Sequence, residues 1–308
     1  MNQKQKEKLV SIIIPTFNEE KVIGDCLDSL ASQAYKPMEI IVVDDGSTDK
    51  TLSLLRHLFE SEHRNAVPQS RRPDTERSKV EGSKLKVLHQ NHLGPGTARN
   101  LGASKAKGQI LVFADADMTF DKNFIKDLVT PILKGKTIGT FSKNEMNANK
   151  NNIWSVCWNI NRNWPIDRLV PLDYPDQAPV FRAIAKYEFD KVGGFNTTGE
   201  YTDDWSLSRK LGVKSTVAPG AIYYHSNPQT LPEVWRQARW IGKNEFISGN
   251  FVRRLRSLIW YSLPISLVTA IAKSFLNFNF YFLIFKLIYD LAIWTSVIKS
   301  FFKEPKSK

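Results

Sequence analysis

Short apolar runs that stop abruptly at carboxylates constrain this chain more than any other feature. Ile40-Ile-Val-Val runs into Asp44 and Asp45, and Ile110-Leu-Val-Phe runs into Ala114-Asp115-Ala116-Asp117. A strand with one wet face alternates apolar and polar residues. These runs do not alternate, so both of their faces must be covered. Residues 10–14 and 85–88 read as further buried strands, with helical stretches at 22–33, 51–59 and 97–105 between the four. Covered strands alternating with helices predict an α/β fold whose mainly parallel sheet is flanked by helices. More strands are expected at 180–185 and 215–217, and an amphipathic helix at 231–247.

The formal charge of +12 favours anionic partners: nucleic acid, phosphates or an anionic membrane surface. The polar stretch 61–83 carries Arg71, Arg72, Arg77 and Lys79, but Asp74 and Glu76 are interspersed and no aromatic is present for stacking. It is expected to be a solvated insertion, and no nucleic-acid partner is expected. Cys26 and Cys157 sit in apolar-patterned segments, as buried reduced thiols of an intracellular protein do. The N-terminus is polar and enters a strand directly, without the apolar stretch of a secretory leader. The main domain is therefore expected on the cytoplasmic side.

The last fifty or so residues change character. Arg253, Arg254 and Arg256 precede an apolar run over 258–272 that contains Pro264. A second run over 278–302 carries Lys286 and Asp290, four apart on one helical face and able to pair. Lys299, Lys303, Lys306 and Lys308 follow, so a hairpin would place both basic clusters on one side, as the positive-inside rule asks. The expectation is a catalytic domain over 1–250 and a membrane-associated helical hairpin over 251–308. Helices lying in the interface and a soluble helical cap are the alternatives.

The chemistry-bearing residues lie past strand ends, where open α/β sheets bind ligands. Ser11-Ile-Ile-Ile-Pro-Thr-Phe-Asn-Glu19 places Pro15, Thr16, Phe17 and Glu19 there, and Asp44 and Asp45 would face the same crevice. Asp49 reads as a helix cap. Gly94-Pro-Gly-Thr-Ala-Arg-Asn-Leu-Gly102 opens a helix, so Arg99 and Asn100 could face a nucleotide. Asp115 and Asp117, two apart in an extended segment, would address one Mg²⁺ or Mn²⁺. Tyr201-Thr-Asp-Asp-Trp205 offers either N-terminal capping or a general base. His225 follows a strand-like run, and Arg236 and Arg239 share a helical face suited to phosphate oxygens.

In this order the motifs resemble family 2 glycosyltransferases of the GT-A fold, over roughly residues 9–249. The resemblance implies an inverting transfer from a nucleotide-diphosphate sugar, a UDP-sugar ahead of a GDP-sugar, to a hydroxyl of a glycan or lipid-linked acceptor. It implies that Pro15, Thr16, Phe17, Glu19, Asp44, Asp45, Arg99, Asp115, Arg236 and Arg239 meet the donor. Asp115 and Asp117, with His225, would hold the divalent metal, and Asp204 would be the base. Asp203, Trp205 and Trp240 would meet the acceptor. Two departures stand out: Asp203 where the family has Glu, and Arg236 where its Gln-x-x-Arg-Trp element has Gln. The second weakens any inference of processivity. Transfer to a polyprenyl phosphate is the alternative reading, and a non-enzymatic basic membrane- or nucleic-acid-binding protein a remote one.

Overall fold

The computed structural model describes residues 8–64, 84–197, 203–247 and 251–302. Most of the expected insertion, from residue 65 on, lies outside these, as do Thr202 and Lys303, Lys306 and Lys308. In chain order the first elements are β1 (Val10–Thr16), α1 (Ile23–Ala31), β2 (Met38–Asp44), α2 (Thr51–Arg64), β3 (Lys84–His89), α3 (Pro95–Lys105) and β4 (Ile110–Phe113). Then come β5 (Met118–Phe120), α4 (Phe124–Leu133), β6 (Gly139–Phe141), β7 (Asn144–Asn147), α5 (Ile153–Arg162), β8 (Gln177–Ala178), β9 (Ala183–Ala185) and α6 (Lys186–Lys191). A 3-10 turn (Asp203–Trp205) leads into α7 (Ser206–Leu211), β10 (Ser215–Val217), β11 (Ile222–His225) and α8 (Leu231–Ile247). α9 (Phe251–Trp260), α10 (Leu263–Leu276) and α11 (Tyr281–Phe302) close the chain.

The chain divides into two compact units. The first comprises Met1–Asn144 and Tyr174–Tyr224, the second Glu145–Asp173 and His225–Lys308. In the first, eight strands pair in the order β3-β2-β1-β4-β9-β6-β10-β8. β3, β2, β1 and β4 are mutually parallel, β6 pairs parallel with β10, and β9 and β8 run against them. The sheet is therefore mixed, with a parallel half.

Period-two alternation sorts the strand residues between two apolar layers. Ile12, Ile14, Ile40, Val42 and Val112 pack with Leu27 and Leu30 of α1 and Leu128 of α4. Ile13, Ile41, Val43, Leu111 and Phe113 pack with Ala98 and Ala103 of α3 and Phe189 of α6. Burying each such Ile or Leu contributes about 1.5–3 kcal/mol. β1 and β2 outrun their apolar stretches because ladder pairing continues to Thr16 opposite Asp44, which carries polar residues to the sheet's carboxyl edge.

The second unit is built on α11. Its Phe282, Phe285, Ala292 and Ile293 are fully buried against Cys157 and Trp158 of α5 and Val234 and Ala238 of α8. A Cβ on Gly242 of α8 would meet the Ile293 Cα at 3.0 Å, and the Ser296 hydroxyl donates to the Arg239 carbonyl at 3.0 Å. This packing is why the structural boundary differs from the expected one at residue 250: α5 and α8 belong with the C-terminal helices. The expected two-run hairpin is instead three helices. Pro264 lies in the first turn of α10, where its missing N–H costs nothing, so it starts a helix and does not kink one. Lys286 and Asp290 do pair, at 2.8 Å, and the Ser266 hydroxyl donates to the second carboxylate oxygen at 2.7 Å.

Replacing Lys286→Met should leave the Asp290 carboxylate buried without its cation and lower unfolding free energy by about 3 kcal/mol. The double variant Lys286→Met/Asp290→Leu should recover most of that, as read by chemical denaturation.

Candidate active site

A chain of ion pairs runs across the carboxyl edge of the first unit. Arg99, on the second turn of α3, has an almost fully buried side chain. Its Nη2 donates to Asp115 Oδ1 at 2.8 Å and its Nη1 to Asp204 Oδ1 at 2.5 Å. Arg182, just before β9, donates from Nη1 to Asp115 Oδ2 at 2.8 Å. Each guanidinium also lies over an aromatic ring: Arg99 over Phe195 and Arg182 over Tyr223, both at 5.6 Å. Burial pushes the Asp115 pKa upward, but the charges of Arg182 and then Arg99 outweigh it and hold the carboxyl well below the usual carboxylate range.

Local geometry delivers these groups. Asp45 shapes the loop that launches α3: its carboxylate accepts the amides of Leu93 and Gly94 at 2.8 and 2.9 Å and the Gln90 side chain at 2.6 Å. Gly46 has φ +77°, and a Cβ there would sit 2.9 Å from the His92 amide, so this turn demands glycine. Asn100, expected to face a nucleotide, instead brackets Phe195, donating to its carbonyl and accepting from its amide, both at 2.9 Å. Gly194, at φ +72°, leaves room for that side chain, since a Cβ there would collide with Asn100 Oδ1. The Val192-Gly-Gly-Phe195 motif is thereby explained as packing behind Arg99.

Asp115 and Asp117 are not on an extended segment as expected. The Met118 amide donates to the Asp115 carbonyl at 3.3 Å, closing a turn between β4 and β5 on which Asp117 is exposed. Beneath this turn the Cys26 thiol lies 3.7 Å from the Asp115 carbonyl. Burial, then the negative charges of Asp117, Asp115 and Glu19, push that thiol far above its ordinary pKa.

At the adjacent strand ends, the Thr16 hydroxyl and Asp44 Oδ1 are buried without a hydrogen-bond partner. The other Asp44 oxygen lies 2.8 Å from His89 Nδ1. Pro15 precedes Thr16 at the end of β1, and Phe17 stacks on His92 with centroids 4.0 Å apart. The Glu19 amide donates to the Thr51 hydroxyl at 2.8 Å, and the Asp49 carboxylate accepts the Thr51 amide at 2.9 Å at the start of α2. Buried orphan polar atoms beside an exposed aromatic stack are what an aromatic, hydrogen-bonding ligand would satisfy.

Trp205 is half-exposed on the 3-10 turn with Asp204, while the Asp203 side chain lies outside the described residues. Arg236, Arg239 and Trp240 are exposed on α8 of the second unit, as is part of His225, whose Nδ1 lies 3.0 Å from Glu145 Oε1. Among the described residues no three His, Cys, Asp or Glu side chains converge as a cation site. Both Asp115 oxygens already face guanidiniums. The exposed Asp117 carboxylate is of the hard-oxygen type that suits Mg²⁺ or Mn²⁺ held jointly with phosphate oxygens. Arg182 escaped the sequence reading. Its signal was a lone cation inside an otherwise apolar, strand-like run.

This sheet, with ligand-type groups along its carboxyl edge, defines a GT-A nucleotide-sugar transferase fold. Residues 11–193 match the profile of "Glycosyl transferase family 2", and the chain belongs to that family. It resembles the Bacillus subtilis (strain 168) protein named "Probable glycosyltransferase YdaM", 26% identical over 83% of this chain and 60% of that one. It is 34% identical to Staphylococcus aureus TarS, a poly(ribitol-phosphate) beta-N-acetylglucosaminyltransferase, over 38% of this chain and 18% of TarS. Among solved structures, S. aureus TarS 1–349 in complex with UDP-GlcNAc matches with a TM-score of 0.51 and 19% identity, over 95% of this chain and 91% of that one. The mannosyltransferase PcManGT from Pyrobaculum calidifontis, in complex with GDP-Man and Mn²⁺, matches with a TM-score of 0.53 and 19% identity, over 93% and 88%. The chain thus spans less than two thirds of the length of these curated relatives, while its fold matches these solved chains nearly end to end.

Arg182→Met should strip one of the two cations from Asp115 and cost about 2 kcal/mol at neutral pH. The native carboxyl has a depressed pKa, so its contribution is complete above the unfolded value of about 3.9 and fades as pH falls towards the native value. The stability gap between wild type and variant should accordingly close on acidification below about pH 4, as followed by thermal melts.

Proposed function

We propose that the chain transfers a sugar from a nucleotide-diphosphate donor, a UDP-sugar ahead of a GDP-sugar, to a hydroxyl of a glycan or lipid-linked acceptor, with inversion. The observation that carries this reading is the bridge from Asp115 through Arg99 to Asp204. It joins the carboxylates past β4 to a second, partly exposed carboxylate beside Trp205. One site can then hold a diphosphate and face an acceptor.

In this reading the base of the donor occupies the strand-end crevice, stacking at Phe17 and His92 and meeting the unpartnered Thr16 and Asp44 atoms. Asp204 takes the proton of the acceptor hydroxyl. The acceptor oxygen bonds to the anomeric carbon from the face opposite the diphosphate, and the bond from that carbon to the diphosphate oxygen breaks with its electron pair. A divalent cation held by Asp117 would supply charge neutralisation at the leaving group. Arg99 sets the direction of the Asp204 carboxylate. The UDP-GlcNAc complex of TarS and the poly(ribitol-phosphate) acceptors in the names of TarS and of a Bacillus spizizenii beta-glucosyltransferase support a UDP-sugar and a hydroxyl acceptor. GDP-Man and Mn²⁺ in PcManGT keep the GDP alternative in view. We further propose that the reaction takes place at the cytoplasmic face of the cell membrane.

Asp204→Asn should lower kcat by a factor on the order of 10²–10⁴ with donor affinity little changed, as steady-state kinetics would read. A wild-type kcat would remove Asp204 from the base role. Asp117→Ala should abolish the gain in UDP-sugar affinity that Mn²⁺ confers in calorimetric titrations, and an undiminished gain would place the cation elsewhere.

A further inference from the structure

The polarity of α10 is inverted. Its protein-facing side carries Ser266, Ala270 and Ser274, all buried, at four-residue spacing. Its outward side carries Leu263, Leu267, Ile271 and Phe275 at the same spacing, exposed by 65%, 36%, 47% and 64%. A helix bathed in water places its large apolar residues inward and its serines outward. The single cation of α10 is also withdrawn from the outer face. Lys273 Nζ donates to the carbonyls of Ile160 and Asn161 and to Asn163 Oδ1, at 2.8, 3.1 and 2.7 Å. The outer face is consequently free of charge.

The adjoining segments continue this character. On α9 the exposed Val252, Leu255 and Ile259 share one face, with exposed Arg253 and Arg256 beside them. The turn between α10 and α11 exposes 90% of Phe278.

α9 and α10, of 10 and 14 residues, each fall well short of a ~30 Å hydrocarbon core at 1.5 Å per residue. Taken together they are long and apolar enough for one span, but a 53° bend at their junction breaks it, and Arg253, Arg254 and Arg256 burden its α9 half. α11 is long enough, with 22 residues. Its inner face, however, is committed to α5 and α8 through Trp158, Val234 and the close approach at Gly242. A spanning α11 would draw α8 and its exposed Arg236, Gln237 and Arg239 into hydrocarbon, which is costly for each charge.

We propose that α9 and α10 fasten the second unit in the plane of an anionic bilayer surface, with the outward stripe of α10 among the acyl chains and Arg253 and Arg256 at the headgroups. This deepens the membrane placement within the proposed function and rests on that part of it alone. A lipid surface fits better than a second copy of the chain because the apolar stripe is bordered by arginines within a chain of net charge +12, and two such copies would repel.

The test uses the full chain and vesicle flotation. The protein should float with phosphatidylcholine vesicles containing phosphatidylglycerol, and far less with phosphatidylcholine alone. Leu267→Ser/Ile271→Ser should weaken partitioning on the order of tenfold without changing the melting temperature, since both side chains are exposed. Arg253→Gln and Arg256→Gln should each reduce binding to the anionic vesicles roughly fivefold. Wild-type flotation of the double serine variant would overturn the proposal. So would a dimer in lipid-free buffer that the same variant dissociates, or retention in expression-host membranes after alkaline carbonate washing. UDP-sugar binding by calorimetry in lipid-free buffer tests the transferase reading separately, so either can fail without the other.

Discussion

Asp115 held between two guanidiniums is the interaction on which the first unit's functional edge depends. Arg99 comes from the helix after β3, Asp115 from the turn after β4, Arg182 from the approach to β9 and Asp204 from the 3-10 turn before α7. No two of these segments are neighbours in sequence. Burying Arg99, Arg182 or Asp115 alone would be costly, so these charges stabilise one another only when the sheet has brought them together. The arrangement fixes direction as much as it adds stability. An aspartate whose two oxygens each face a cation cannot rotate, and Asp204 inherits its orientation through Arg99.

That network relies on packing directly behind it. Asn100 ties Phe195 under Arg99, and Gly194 before Phe195 leaves room for that amide. Asp45 spends its carboxylate on the loop that begins α3. Two motifs that read as ligand-binding are therefore at least half structural: they aim Arg99. The atoms left unsatisfied, on Thr16 and Asp44, lie at the strand ends beside the Phe17–His92 stack. Orphan buried polar atoms beside an exposed aromatic stack point to a ligand.

The second unit shows the opposite economy of polarity. α11 is apolar enough to pass for a membrane span, yet it serves as the spine against which α5 and α8 bury their apolar faces. Its Lys286 and Asp290 satisfy each other and Ser266, so the charges that would obstruct a span are tolerated in a protein core. Large apolar side chains are displaced to the surface on α9 and α10, and on the outer side of α11 as well.

The sequence by itself determined the parallel half of the sheet, the polar strand ends, the family and the Lys286–Asp290 pair. Each of these follows from local composition or from short fixed spacings: two for a strand, four for a helix. Tertiary structure alone decided the partners of the carboxylates. Arg182 met Asp115 across 67 positions, the Asp115–Asp117 segment closed into a turn and did not stay extended, and His225 paired with Glu145 across 80 positions. It also decided that α5 and α8 join the C-terminal helices. The physical reason is the same in each case. A charge or an apolar face states only that it needs a partner, and which partner it finds depends on the strand order and helix packing that bring remote segments within a few ångströms.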